Sequence, residues 1–178
     1  METLTIPIIP AIILTLLAGC FLGWINGFVT VKTGVHSFIV TLATMSIYFG
    51  MMTLLTEAEA FRKLPENFTD FGSMKLFNKY MSPLLLISFS FVLLLFYLFK
   101  FTDLGRKLIA AGANPDAAEL SGISVNRMFI YCHILSGFLA AVAALMLTSR
   151  IGAAIPSMAG NLGFDWLLPA FLAPVLGG

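Results

Sequence analysis

Charge is what this chain has least of. Asp, Glu, Lys and Arg make up 11% of its 178 residues, against about 25% in soluble domains. Hydrophobic residues make up 59%, and mean hydropathy is +0.97. So few charges cannot cover the surface of a soluble protein this size, so the composition specifies a polytopic membrane protein. The net charge of +1 leaves no electrostatic footprint for nucleic acid. Cysteine is scarce as well. Cys20 and Cys132 both fall inside apolar segments, which suits small core residues better than a disulfide or metal pair. The opening Met1-Glu2-Thr3 has no basic n-region, so no signal peptide is expected.

Catalytic grammar is missing too. No GxxxxGK[ST] loop is present, so the chain by itself is not expected to hold nucleotide phosphates. Neither HExxH nor GxSxG occurs. The two histidines, His36 and His133, lie far apart, and no carboxylate sits within an apolar segment beside either. Asp116 and Glu119 share a helix face, but on a water-exposed loop without a dry pocket to tune them. The expectation is a non-enzyme with no metal and no cofactor. A secondary transporter would want an intramembrane acid or base for ion coupling, and only His133 is on offer.

What the chain does have is long uncharged runs. Thr3–Val31, Thr33–Thr56, Tyr80–Phe99 and Met128–Ser149 hold 29, 24, 20 and 22 residues without a charge. A helix needs about 20 apolar residues to cross the hydrocarbon core. The reading is therefore all-α: a transmembrane helical bundle forming a single domain over residues 1–178, with four full spans. A fifth run, Trp166–Gly178, holds 13 residues and reads as a truncated span broken by Pro169 and Pro174. With Pro156 it makes a candidate pathway element, since broken helices at membrane depth line cavities or pack on protein. Basic residues do not orient the bundle. Lys32 and the Lys100–Arg127 loop hold five on one side, and the Glu57–Lys79 loop with Arg150 holds five on the other. The Glu57–Lys79 loop, punctuated by Pro65 and Gly72, reads as irregular.

Small residues mark helix contacts. Gly19, Gly23 and Gly27 recur every four residues and share one helix face. Ser136, Ala140 and Ala144 form a similar row, with Gly137 and Ala141 beside it. Bundle packing explains both rows; a dimer interface is the other use of such faces. Two polar residues stand inside apolar runs. Asn26 lies near a helix end, and His133 lies a few residues into the fourth span. Groups at such depth face the bundle and find hydrogen-bond partners. His133 reads either as a satisfied structural histidine or as a pathway contact.

The most informative polar stretch is Leu104–Arg127, LGRKLIAAGANPDAAELSGISVNR. It contains the grammar of a short capped helix. Asn114 is a strong N-cap, Pro115 suits the first helical position, and Asp116 puts negative charge at the positive dipole end. Gly122 supplies the stop. A rigid capped helix on the water face of a membrane protein reads as a docking surface for a soluble partner.

These residues carry a family resemblance. Gly112, Asn114, Ala117, Ala118, Ser121, Gly122 and Ile123 match a G-x-N-x-x-A-A-x-x-S-G-I loop. Leu135–Ala140 matches an L-S-G-x-L-A core, Ser149, Arg150 and Gly152 match S-R-x-G, and Leu176–Gly178 matches a closing L-G-G. Asn26-Gly27 and Phe38–Leu42 add to it. The chain resembles the permease subunits of bacterial sugar-type ATP-binding-cassette importers, the ribose, xylose and autoinducer branch, related to the branched-chain amino-acid permeases. The resemblance implies a monosaccharide or similar small polar solute as cargo. It implies a multi-pass place in the inner membrane, a second permease subunit, cytoplasmic ATPase subunits and a periplasmic substrate-binding protein. Gly112–Gly122, including Pro115 and Asp116, would be the coupling helix that docks on the ATPase, which puts that loop in the cytoplasm. Family members have further spans on either side, so an internal fragment or split-gene product is expected. The alternative is a non-transporting remnant, or a structural or regulatory partner of a transporter complex.

Overall fold

The computed structural model describes residues 7–62, 64–74 and 82–156. It contains α1 (Ile8–Thr33), α2 (Ser37–Thr56), α3 (Glu66–Ser73), α4 (Pro83–Phe101), α5 (Asp103–Ala113), α6 (Pro115–Leu120) and α7 (Val125–Ile151). Four of these, α1, α2, α4 and α7, are long and apolar enough to cross a membrane. They coincide with the four uncharged runs. The fifth run, with Pro169 and Pro174, lies outside the described residues.

The bundle is organised around one antiparallel pair, α1 and α7. Glycine sets their distance. A Cβ placed on Gly19 would stand 2.6 Å from both the Gly137 carbonyl oxygen and the Ala141 Cβ. One on Gly23 would strike the His133 carbonyl, and one on Gly27 would stand 2.9 Å from the Ile130 Cα. In lipid no hydrophobic drive pulls helices together, so close backbone approach is what holds such a pair. The partner row on α7 is His133, Gly137 and Ala141. Ser136, Ala140 and Ala144 stand one position round the helix and are exposed. The one-residue offset follows from rotation about α7: a single row can face α1 at the crossing.

Elsewhere helix ends are fixed locally. Gly34 closes α1 in the left-handed conformation (φ 67°), and the His36 imidazole Nδ1 accepts from the Phe38 N–H to start α2. Ser82 and Pro83 open α4 as N-cap and first helical residue. The α4–α5 reversal is tight because Gly105 packs directly on the backbone of Leu98 and Phe99.

Two loops differ from the sequence reading. The Glu57–Lys79 segment contains an eight-residue helix, α3, where an irregular loop was expected. Pro65 precedes it and Gly72 lies inside its last turn, so both residues bound a short helix rather than prevent one. Gly72 is there for contact, since a Cβ on it would collide with Ser149. The Ser149 hydroxyl donates to the Phe68 carbonyl at 2.6 Å, and paired bonds between Phe61 and Ala154 add a second tie. Together they seat α3 on the end of α7. The polar stretch Leu104–Arg127, in turn, holds two helices. Sequence reasoning found α6 and missed α5.

Candidate functional sites at the water face and within the bundle

The platform that carries α6 is built from its caps inward. Asn114 is extended (φ −154°, ψ 98°), and its Oδ1 accepts from the Ala117 N–H at 3.0 Å. At the other end Gly122 adopts φ +80°. Its N–H donates to the Glu119 carbonyl at 2.9 Å, and the Ile123 N–H donates to the Ala118 carbonyl at 3.0 Å. That pair of bonds is a Schellman closure, and its usual apolar contact is present between Ile123 and the cluster holding Ala118. The Ser121 hydroxyl adds a bond to the Ala117 carbonyl at 2.9 Å. A helix of six residues cannot stand alone in water. Here it rests on its own small core of Leu108 and Ala111 from α5, Ala118 from α6, and Val125 and Met128 from α7.

The motif residues therefore divide by role. Ala118 is buried and Ile123 half-buried, so they anchor the platform. Asn114, Pro115, Asp116, Ala117, Ser121 and Gly122 are exposed. Gly112 is exposed as well, and nothing lies within 4 Å of a Cβ built on it. Leu120, which the motif did not single out, is 92% exposed. A leucine bared to that degree on a rigid helix is an unpartnered apolar knob. Its exposure could not be read before the rotation of α6 was known.

The second site lies between α1, α2 and α7. Two adjoining clefts, of about 430 and 320 Å³, share Asn26, Thr41 and Tyr48 in their walls. The larger is closed on the α7 side by His133, Ser136, Gly137, Ala140 and Ala141. Ala144 lines a different cleft, nearer α3. The two polar residues picked from sequence, Asn26 and His133, thus come together at one opening, and each has a partner on α2. The Tyr48 hydroxyl donates to Asn26 Oδ1 at 3.3 Å. His133 bonds twice, through Nδ1 with the Phe129 carbonyl at 2.8 Å and through Nε2 with Ser37 Oγ at 2.9 Å. A carbonyl can only accept, so Nδ1 carries the proton, and in the neutral ring Nε2 accepts from the Ser37 hydroxyl.

Among the described residues no group of three His, Cys, Asp or Glu side chains could hold a metal. The one ion pair there, Arg106 with Asp103, is exposed on α5. Four helices long and apolar enough to cross a membrane, one closely packed helix pair, a cleft with a few polar groups in its wall and a capped short helix on its own small core define the class as a multi-pass membrane protein.

Comparison with known proteins agrees. The whole chain, residues 1–178, matches the family described as branched-chain amino acid transport system / permease component, and it belongs to that family. It is 34% identical to the ribose import permease protein RbsC of Haemophilus influenzae, over 100% of this chain and 54% of that protein. It is 36% identical to the autoinducer 2 import system permease protein LsrD of Photorhabdus temperata, again over 100% of this chain and 54% of the relative. The LsrD protein of Escherichia coli is 36% identical over 97% of this chain and 52% of its own length. The chain thus spans about half the length of the curated relatives it matches. No solved structure matches it.

Proposed function

We propose that this chain is membrane-spanning permease of an ATP-binding-cassette importer that carries a monosaccharide or similar small polar solute across the inner membrane. The observation that carries this reading is the α6 platform: a helix too short to be stable alone, capped at both ends and set on a dedicated core. ATP-driven motion in soluble subunits must move membrane helices. A rigid lever transmits displacement, whereas a floppy loop absorbs it. In this reading α6 docks on a cytoplasmic ATPase through Leu120, Asp116 and the exposed motif residues. That places the α6 face in the cytoplasm and α3 on the periplasmic side, toward a substrate-binding protein. A second permease subunit completes the pathway, and Asn26 and His133 line it. The likeness to ribose and autoinducer 2 import permeases supports a sugar-type cargo over an ionic one.

The test is uptake of labelled monosaccharides by cells expressing the complete operon, with and without this gene. Loss of uptake on deletion, restored by the gene in trans, is the expected result. Equal uptake in both strains overturns the reading.

A further inference from the structure

The inward face of α2 carries a ladder of hydroxyls. Ser37, Thr41, Thr44 and Tyr48 follow the spacing of one helix face, and all four are half-buried. Ser46, off that face, is exposed. Three of its rungs line the two clefts, Thr41 and Tyr48 in both walls and Thr44 in the smaller, and Ser37 is bonded to His133, which lines the larger. Its ends are bonded across the opening, Ser37 to His133 and Tyr48 to Asn26. Among the described residues, these are the only side-chain to side-chain hydrogen bonds that tie one spanning helix to another. The middle rungs are different. Thr41 donates to the carbonyls of Ser37 and Phe38, and Thr44 donates to that of Thr41. Each threonine hydroxyl has spent its proton on the helix and offers only lone pairs to the cleft.

We infer that this α2 ladder is the solute-selecting wall, and that its two end bonds are exchanged for solute hydroxyls during passage. The inference rests on the transport reading above and adds to it the residues that choose the cargo. The chemistry follows from the groups present. Thr41, Thr44, Asn26 Oδ1 and His133 Nε2 accept, while Ser37, Tyr48 and the Asn26 amide N–H groups donate. A group that both donates and accepts at close spacing satisfies that array, and a row of hydroxyls on a carbon chain is such a group. No Asp, Glu, Lys or Arg lines either cleft. A zwitterion or anion would enter without a counter-charge, at a large desolvation cost. The wall therefore fits a neutral polyhydroxylated solute and rejects a free amino acid. Replacing one bonded pair by a solute hydroxyl that accepts from its donor and donates to its acceptor keeps both groups of the pair partnered, whether the cleft is occupied or empty.

The experiment uses the assembled transporter that contains this chain, in proteoliposomes, with a panel of labelled pentoses, hexoses and alditols. For the solute taken up best, kcat/KM is compared with that of its monodeoxy analogues, in the unaltered protein and in Ser37→Ala, Tyr48→Phe and Thr41→Val. The unaltered protein is expected to favour the full polyol over at least one monodeoxy analogue by about 3- to 10-fold, the worth of one neutral hydrogen bond. Tyr48→Phe and Ser37→Ala should each erase that preference for a different analogue, chiefly through KM, and Ser37→Thr should restore it. A merely structural tie would lower uptake of all analogues alike. Uptake with unchanged preference ratios in all three variants overturns this inference and leaves the transport reading standing. No uptake of any neutral solute overturns both.

Discussion

Gly23→Ala puts the seam that organises the bundle to a direct test. The methyl group it adds has nowhere to go. It would strike the His133 carbonyl oxygen and stand 3.0 Å from the carbonyl carbon and 3.1 Å from the Ile134 Cα. These are backbone atoms, so no side-chain rotation relieves the clash, and α1 and α7 must move apart. Opening the crossing by even 0.5–1 Å forfeits roughly a quarter to a half of each dispersion contact along it. Overpacking of this kind costs about 1–3 kcal/mol. Replacing a helical glycine by alanine also gains about 0.5–1 kcal/mol of helix propensity, which masks part of the loss. Gly50 provides the control. It lies inside a spanning helix with nothing within 4 Å of a built Cβ, so Gly50→Ala takes the propensity gain alone. The difference between the two variants isolates the packing term, expected at about 1–3 kcal/mol. It can be read from SDS-titrated unfolding in mixed micelles followed by circular dichroism. Gly23→Ala should also weaken the His133–Ser37 bond, because His133 is the residue displaced. Equal stability of the two alanine variants would refute a glycine-set crossing.

Three further outcomes follow from the same geometry. Gly122→Val forces a β-branched residue into φ +80° at a cost of about 1–2 kcal/mol or more, and Asn114→Ala removes the N-cap at about 1 kcal/mol; both should depress solute-stimulated ATP hydrolysis in the assembled transporter while membrane insertion stays normal, and full stimulation in both would count against the lever. Leu120→Asp alters a side chain that touches little of its own chain, so thermal stability should hold while affinity for the ATPase subunit drops at least about tenfold, the worth of one buried leucine; unchanged affinity in a pull-down titration would remove Leu120 from the interface. Ser149→Ala removes the side-chain bond that ties α7 to the Phe68 carbonyl of α3, which should speed hydrogen exchange of the α3 amides by about tenfold; unaltered exchange would show that Gly72 packing and the Phe61–Ala154 ties suffice.

Which features were legible in the sequence follows from how local their causes are. The four spans could be read because a spanning helix must satisfy its own backbone and present apolar side chains to lipid, both local demands. The α6 caps could be read for the same reason: Asn114 and Gly122 act on backbone groups two or three residues away. The glycine row on α1 announced a close contact, but its partner row did not announce itself. Ser136, Ala140 and Ala144 look as good as Gly137 and Ala141 until the rotation of α7 is fixed by what it packs against. Helix α5 went unseen because much of its ordering comes from outside it, from the backbone of α4 at Gly105 and from the shared core with Ala118 and Met128. The hydroxyl ladder on α2 is the instructive omission. Its spacing was present in the sequence, yet threonine and serine in a spanning helix return their protons to the preceding turn and look silent. What distinguishes Ser37 and Tyr48 from Ser46 is a partner on another helix. That is a property of the fold, and it turns an unremarkable set of hydroxyls into one wall of a cleft.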